Sequence, residues 1–261
     1  MSSTPRIHLI GATGRTGNAV AHALAARNDV SLVSCVAPSL GGSPTRPVPS
    51  GPAAAATLSE IPADVLGTGD VVVDLGIARS VEQHLAWALD HDMHAVVGTT
   101  GCDDDVFTTY GERFAAAGRA LLVIPNFSIG AVLMMRVAAD IARFMPDVEI
   151  VEVHHDTKVD APSGTAIRTA RMVAAAAAAG RTGASADDHP ARGQMVDGVA
   201  VHSVRLPGAT AHQDVIFGMP GELLTIRHDA IDRSCYGAGV ARAAHAVASC
   251  TGLHIGLEEF L

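Results

Sequence analysis

The chain has 261 residues, of which 48% are hydrophobic and 17% are charged, a composition typical of folded domains and not of disordered segments. Its formal net charge of −9 disfavours nucleic acids and anionic membranes as partners, but leaves room for a small anionic ligand in a local positive pocket. Four scattered cysteines without CxxC spacing argue against a disulfide framework or a zinc site, and no apolar run reaches the length of a signal peptide or a membrane span. We therefore expect a soluble cytoplasmic protein with no bound metal.

The first half of the sequence alternates predicted strands with predicted helices. Apolar runs rich in valine and isoleucine predict the strands, and segments of helical periodicity predict the helices between them. This alternation is typical of a doubly wound parallel sheet in an α/β domain. The predicted strands are 6–10, 30–36, 70–75, 95–97 and 120–124, the predicted helices are 18–27, 81–91 and 103–117, a short element is predicted at 65–67, and residues 38–52 form a predicted loop.

The second half has a different pattern, and the total length suits two domains. It begins with a predicted helix and a β-branched segment, and its later strands are separated by turn residues, which predicts a sheet with mostly antiparallel neighbours. The predicted helices are 130–145, 166–179 and 233–249, the predicted strands are 148–154, 199–206, 212–217 and 223–229, and a loop rich in Gly, Asp and Pro is predicted at 180–198.

The segment Gly11-Ala-Thr-Gly14-Arg-Thr-Gly17 connects the first predicted strand to the first predicted helix. Glycines here let the backbone turn tightly, let a pyrophosphate approach and let the helix pack on the strand. The helix N-terminus then offers N–H groups to the phosphates. The pattern therefore favours a dinucleotide site over the alternative, a tight strand–helix turn without a ligand.

The second predicted strand lacks the acidic residue that usually binds the ribose hydroxyls of NAD, because it runs into Ala37 and Pro38. Nothing at this position repels a 2′-phosphate, and Arg15 and Arg46 are cations that would reach one. We expect the cofactor to be NADPH or NADH, with a slight preference for NADPH.

The most informative stretch is Val151-Glu-Val-His-His-Asp-Thr-Lys-Val-Asp-Ala-Pro-Ser-Gly-Thr-Ala166, which predicts the end of a strand followed by the start of a helix. Between these elements lie His154, His155 and Lys158. Lys158 is the only lysine in the chain, against a background of arginines. Because arginine stays protonated and has a different shape, a lone lysine beside histidines indicates a role in chemistry. The alternative is a solvated loop lysine.

On these motifs the chain resembles the dihydrodipicolinate reductase family over nearly its full length. The family implies hydride transfer from NAD(P)H to a cyclic imine dicarboxylate in lysine and diaminopimelate biosynthesis. It also implies a Rossmann domain at 1–127 plus 234–261, and an α+β domain at 128–233 that binds substrate and whose open sheet builds a homotetramer. The resemblance rests on the glycine segment, the 151–166 stretch, Val97-Gly-Thr-Thr-Gly101, Pro125-Asn-Phe-Ser128, Val201-His-Ser-Val-Arg-Leu206, His212-Gln-Asp-Val-Ile-Phe217 and the segment from Gly221 to Arg233.

The resemblance implies a role for each matching residue. His154 would be the general acid that protonates the substrate as hydride arrives, and Lys158, a partner for the substrate carboxylates, could share that role. The other implied substrate-binding residues are His155, Ser163, Gly164, Thr165 and Thr100, of which Ser163 or Thr165 would cap a helix whose amides suit an anion. The implied cofactor-binding residues are Gly11, Ala12, Thr13, Gly14, Arg15, Thr16, Gly17, Gly98, Thr99, Thr100, Pro125, Asn126 and Phe127.

One segment departs from the family pattern. Where the family has Asp-Phe-Thr-x-Pro at the end of a strand, this chain has Asp74-Leu-Gly-Ile-Ala78. Together with Ala37, both changes fall on the cofactor side and none on the side of the two histidines and the lysine. They leave open a related reductase that acts on another cyclic imino acid in specialised metabolism. A non-catalytic binding protein of the same fold is a weaker alternative, because His154 and Lys158 are both present.

Overall fold

The computed structural model describes residues 4–177 and 190–261, and the chain divides into two compact units. One unit comprises the chain up to Ile129 together with Arg233–Leu261, and the other comprises Gly130–Asp232. Each unit is built around a sheet of its own.

The described residues form twelve strands and six α-helices. In chain order the strands are β1 (Arg6–Ile10), β2 (Ser31–Val36), β3 (Ala53–Ala55), β4 (Val71–Asp74), β5 (His94–Val97), β6 (Ala120–Val123), β7 (Asp147–His154), β8 (Gln194–Val196), β9 (Val199–Arg205), β10 (Ala211–Met219), β11 (Glu222–Ala230) and β12 (Gly252–Ile255). The helices are α1 (Arg15–Ala25), α2 (Val81–Asp90), α3 (Asp104–Ala116), α4 (Ile129–Ala142), α5 (Gly164–Ala176) and α6 (Cys235–Val247).

The first unit contains a seven-stranded sheet in the order β12-β6-β5-β4-β1-β2-β3, in which every neighbouring pair is parallel. Its central strands are continuous buried runs, such as β4, because helices pack on both faces of the sheet. Helix α1 packs with α6, and α2 packs with α3. This is the doubly wound architecture of a Rossmann domain, which confirms the predicted fold class. In such folds ligands bind where the strand order reverses, here at the carboxyl ends of β1 and β4.

The second unit contains a five-stranded sheet in the order β11-β10-β7-β9-β8. β7 and β9 are parallel and the other three pairs are antiparallel, as expected for a mostly antiparallel sheet. Helix α5 packs against β7, β8 and β9. Side chains along β7 alternate between the two faces, so Val148, Ile150 and Glu152 are buried together. The buried face of β7 is therefore apolar and ends in the carboxylate of Glu152, which belongs to the site described below.

Some predicted boundaries were wrong. Helix α1 begins at Arg15 and not at residue 18, because Gly14 is the extended residue before the helix. The predicted element at 65–67 is a single 3-10 turn, Ala63–Val65. Strands β3 and β12 were missed, since three alanines and a short Gly-Leu-His-Ile segment carry little strand signal. β8 lies inside the predicted loop at 180–198, whose residues 180–189 lie outside the described residues, as do the last two residues of the helix predicted at 166–179.

Candidate active site

The glycine segment after β1 forms a tight turn that only glycine permits. Gly11 has a φ of +81°, and its amide and that of Ala12 both donate to the carbonyl of Val36, at 2.8 and 3.2 Å. A Cβ at Gly17 would lie 2.1 Å from the Gly11 carbonyl oxygen, so a larger residue would push α1 away from the turn. This geometry leaves the start of α1 accessible to phosphate groups.

A cavity of about 760 Å³ opens at the carboxyl ends of β1, β2 and β4. Three of the predicted cofactor residues, Gly11, Thr13 and Gly14, line it, together with Ala37 and Pro38. Ala12 and Gly17 are buried beneath the turn, Thr16 is half-buried on α1, and Arg15 and Arg46 are exposed and do not line the cavity. The opposite walls come from the loop after β4 and from α2, through Leu75, Gly76, Ile77, Ser80, Gln83, His84, Ala86, Trp87 and Asp90.

The remaining residues predicted for the cofactor follow β5 and β6. Thr99, Thr100 and Pro125 line a smaller cavity of about 180 Å³. Gly98 and Phe127 lie in direct contact, because a Cβ at Gly98 would come within 2.3 Å of the Phe127 ring and 2.8 Å of the Leu75 side chain. Asn126 accepts a hydrogen bond from the Ser128 amide through its Oδ1 atom at 2.8 Å. Leu75, one of the departures from the family pattern, thus packs on Gly98 in this region.

A buried carboxylate that the sequence did not single out organises this region. Asp74, at the end of β4, is 2% exposed, and its Oδ1 atom accepts from the Gly76 amide and from the Thr99 hydroxyl, both at 2.7 Å. Its Oδ2 atom is 2.6 Å from Nδ1 of His84 on α2. Asp74 therefore joins the loops after β4 and β5 to the helix that lines the cavity. Its signal in the sequence is an acid that ends an apolar strand, with a histidine ten residues later.

His154, the predicted proton donor, ends β7 and is held by Glu152. Its Nδ1 atom is 2.5 Å from the Glu152 carboxylate, which is fully buried and also binds Arg205 through two contacts of 2.8 Å. Burial acts to raise the pKa of Glu152, but hydrogen bonds from His154, Arg205 and Ser203 outweigh it and lower that pKa to about 2. Glu152 and Arg205 were missed as site residues, although alternation along a strand places residues 152 and 154 on one face.

Lys158 lies in the loop after β7 and is already paired. Its Nζ atom is 2.7 and 2.8 Å from the carboxylate oxygens of Asp160. The hydrogen bonds from this ammonium group and its positive charge hold the pKa of Asp160 below its usual range. His155 Nδ1 is 2.8 Å from the Thr157 hydroxyl. The Lys158 side chain is 20% exposed and that of Asp160 is 60% exposed.

Helix α5 begins directly after this loop. Ser163, and not Thr165, is its N-cap: the Ser163 hydroxyl accepts from the Ala166 amide at 3.2 Å. The amide of Ser163 itself donates to Glu152 at 3.2 Å. The second unit therefore brings His154, the Lys158 loop and a helix N-terminus around one buried carboxylate. This combination supplies an imidazole, an ammonium group and a positive dipole end, which together suit an anionic ligand.

Two other kinds of site were sought in the described part of the chain. Residues 4–177 and 190–261 contain no cluster of three or more His, Cys, Asp or Glu side chains arranged to hold a metal ion. Within the same ranges, none of the helices has both the length and the apolar character needed to cross a membrane.

Comparison with known proteins agrees with this geometry. Residues 5–127 match the family model for the N-terminus of dihydrodipicolinate reductase, and residues 130–261 match the model for its C-terminus. The 4-hydroxy-tetrahydrodipicolinate reductases of Cutibacterium acnes and Nocardia farcinica are each 43% identical, over 98% and 99% of both chains. A dipicolinate-bound dihydrodipicolinate reductase from Paenisporosarcina sp. TG-14 superposes with a TM-score of 0.84 at 34% identity, covering 99% of this chain and 100% of that one. The chain belongs to the dihydrodipicolinate reductase family.

Proposed function

We propose that this protein reduces 4-hydroxy-tetrahydrodipicolinate to tetrahydrodipicolinate with NAD(P)H, as part of lysine and diaminopimelate biosynthesis. The observation that carries the proposal is the grouping of His154, Lys158 and the start of α5 around Glu152 in the second unit. A ring with two carboxylates needs positive charge and N–H donors, and this grouping offers both. The related Paenisporosarcina reductase was crystallised with dipicolinate, a cyclic dicarboxylate of the same kind.

His154 is the proposed proton donor. The proposed reaction replaces the 4-hydroxyl group of the substrate by hydrogen and releases that group as water. The bound nicotinamide supplies the hydride, so the protein has to supply the one proton that balances the reaction. An imidazole can act as a general acid, and Nδ1 of His154 is already engaged by Glu152. The proton would therefore leave from the other ring nitrogen, Nε2.

The substrate carboxylates are proposed to bind Lys158, His155, the hydroxyl of Ser163 and the amides of Gly164 and Thr165. The pairing of Lys158 with Asp160 supports this, because the Asp160 carboxylate marks where the ammonium group already binds an oxygen anion. A substrate carboxylate would replace Asp160 as the partner of Lys158. Gly164 begins α5, where amide N–H groups and the helix dipole stabilise negative charge. Thr100 stays a predicted substrate-binding residue.

The dinucleotide is proposed to occupy the cavity of the first unit, with NADPH slightly preferred over NADH. The pyrophosphate would lie on Gly11–Gly17, and the nicotinamide side would be lined by Gly98, Thr99, Pro125, Asn126 and Phe127. Two contacts support a role for Arg46 towards a 2′-phosphate: the adjacent Pro47 carbonyl accepts from Asn18 at 2.8 Å and lies 3.2 Å from His22 Nε2. The loop that carries Arg46 is thereby held on α1, the helix that begins with Arg15.

We propose further that the protein is a cytoplasmic homotetramer whose second-unit sheet forms the contact between copies. β11 is an edge strand and exposes apolar side chains: Leu223 is 78% exposed and Leu224 is 40% exposed. Met219, at the end of β10, is 44% exposed. An exposed apolar edge strand favours association with another chain, and a second copy offers the same surface.

The decisive experiment is an assay of the purified protein with NADPH and NADH. It should compare freshly generated 4-hydroxy-tetrahydrodipicolinate with other cyclic imino acids at matched concentrations, and it should follow cofactor oxidation. The proposal expects the highest kcat/KM with the lysine-pathway intermediate. Higher efficiency with another cyclic imine would support the specialised-metabolism reductase, and tight cofactor binding without turnover of any imine would support a binding protein.

A further inference from the structure

Glu152 is a charged residue in a place that normally holds an apolar one. It lies on the buried face of β7 with Val148 and Ile150, and it is 0% exposed. His154, two residues later, projects from the same face. Because an unpaired buried carboxylate would cost several kcal/mol, a carboxylate here has to be matched by donors.

Four groups from three elements donate to this carboxylate. Nδ1 of His154 lies 2.5 Å away, Nη1 and Nη2 of Arg205 each lie 2.8 Å away, and the Ser163 amide lies 3.2 Å away. The fourth group is the Ser203 side chain, whose hydrogen bond also lowers the pKa of Glu152. Ser203 and Arg205 lie on β9 directly opposite Glu152 and His154. Arg205 therefore neutralises the buried charge of Glu152, and the four donor groups fill the lone pairs of its carboxylate oxygens.

This arrangement fixes which nitrogen of His154 carries hydrogen. With a pKa of about 2, Glu152 is a carboxylate at neutral pH and can only accept hydrogen bonds. Nδ1 must therefore be the donor, and in the neutral ring Nε2 is the nitrogen without hydrogen. When the ring is protonated, the transferable proton is on Nε2.

We infer that Glu152 is a positioning residue that sets the tautomer and orientation of His154, and that Arg205 holds Glu152 in place for this purpose. The inference rests on the proposed function of His154 as proton donor. Arg205 extends the same control to the neighbouring loop, because its Nη2 atom also donates to the Asp160 carbonyl at 2.7 Å. One carboxylate and one arginine thus align the proton donor, the Lys158 loop and, through the Ser163 amide, the start of α5.

Glu152→Gln tests the inference because it keeps the shape of the side chain and removes its charge. We expect kcat to fall by about 10- to 100-fold, the range seen when a partner that orients a metal-binding histidine is removed. The dinucleotide dissociation constant should not change, since the first unit is proposed to hold that site.

The pH dependence of kcat should change as well. The charged groups facing His154 are Glu152 and Arg205, the residue opposite on β10 is Ala211, and Lys158 and Asp160 pair with each other. Loss of the anion makes the imidazolium less stable, so the alkaline limb of kcat against pH should move to lower pH.

Glu149→Gln is the matched control. Glu149 lies on the same strand and also binds a histidine and an arginine, His202 at 2.9 Å and Arg192, but its side chain is 41% exposed. Its replacement should leave kcat and the pH profile unchanged. Equal effects of the two substitutions would overturn the inference, because they would show a general response of β7 to charge loss.

A measurement on the wild-type protein keeps the test decisive if the Glu152 variant does not fold. ¹⁵N NMR of labelled histidine, assigned by comparison with His154→Gln, should show neutral His154 protonated on Nδ1. Protonation on Nε2 would overturn the inference, as would a folded Glu152→Gln variant with unchanged kcat. The tautomer can be measured without any substrate, so failure of the proposed reductase activity and failure of the positioning role are separate outcomes.

Discussion

Each unit of this protein contains one buried carboxylate near the carboxyl end of a central strand, with a histidine bound to it. In the first unit Asp74 accepts from His84, the Thr99 hydroxyl and a backbone amide. In the second unit Glu152 accepts from His154, a backbone amide and Arg205. Of these two carboxylates, only Glu152 has an arginine among its described contacts. A third buried carboxylate, Asp70, binds His8 and Arg6 but lies at the other end of β4, before its first residue.

The difference indicates two separate tasks. Gly76 and His84 line the larger cavity of the first unit and Thr99 lines the smaller one, so the Asp74 cluster shapes the surface where the dinucleotide is proposed to bind. The Glu152 cluster instead holds a histidine whose Nε2 is proposed to deliver a proton. An arginine beside Glu152 keeps the carboxylate charged without moving the proton of His154 onto it. The following predictions test whether the Asp74 cluster acts in binding and the Glu152 cluster in the reaction.

The largest expected effect is the loss of Arg205. Arg205→Met removes the cation that neutralises Glu152 and leaves a buried carboxylate with fewer donors, so the free energy of unfolding should fall by about 3 kcal/mol or more. Urea denaturation measures it. Arg192→Met is the control, because the pair between Arg192, in the 3-10 turn before β8, and Glu149 on β7 is largely solvated and should contribute about 0–1 kcal/mol. Similar losses for both variants would contradict the distinction between buried and exposed pairs.

The next effect is the acid sensitivity that Glu152 confers. Its pKa is lowered from a reference value of 4.5 to about 2, so its contribution to stability is present above pH 4.5 and is lost as the pH falls from there towards 2. A shift of this size corresponds to about 3 kcal/mol. We expect the difference in unfolding free energy between wild type and Glu152→Gln to shrink over that interval. A difference that is independent of pH would show that Glu152 acts through packing alone.

Replacing each histidine compares the two clusters directly. His154→Gln keeps a hydrogen-bonding side chain but removes the transferable proton, so kcat should fall by about 10²-fold or more with little change in dinucleotide affinity. His84→Gln should do the reverse. It removes the imidazole that binds Asp74, so dinucleotide affinity should weaken and kcat at saturating cofactor should change less. Steady-state kinetics and cofactor titration give both values. A loss of dinucleotide affinity in His154→Gln as large as its loss of kcat would contradict the assigned roles.

The fold and the proposed proton donor could be predicted from the sequence, but the network of residues that supports the proton donor could not. Alternating strands and helices predicted the doubly wound sheet, and His154 stood out beside a lone lysine. Glu152 was part of the same motif, but nothing in the local pattern shows that Arg205, more than fifty residues later, faces it across β9. The pairing of β7 with β9 is a long-range property of the sheet. β3 was missed because an alanine run has no strand propensity of its own and takes its conformation from its pairing with β2.

The smallest predicted effect concerns the one wall of the first-unit cavity where a carboxylate is expected and absent. Ala37 lines the cavity and is 3% exposed, and a carboxylate at this position would accept from the ribose hydroxyls of NADH and repel the 2′-phosphate of NADPH. Ala37→Asp should therefore move the ratio of kcat/KM values towards NADH by about 1–2 kcal/mol, the scale of one charged hydrogen bond.

Ala86→Asp is the control for this last substitution, because it adds the same charge to the α2 wall of the same cavity and should shift the ratio less. Wild type should prefer NADPH modestly, through Arg15 and Arg46. A strong wild-type preference for NADH would show that another group binds the ribose hydroxyls; Thr13 and Ser39, whose hydroxyls lie 2.7 Å apart, are candidates. An unchanged ratio in Ala37→Asp would place the adenosine ribose away from this loop, and the departure at Ala37 would then have no bearing on cofactor choice.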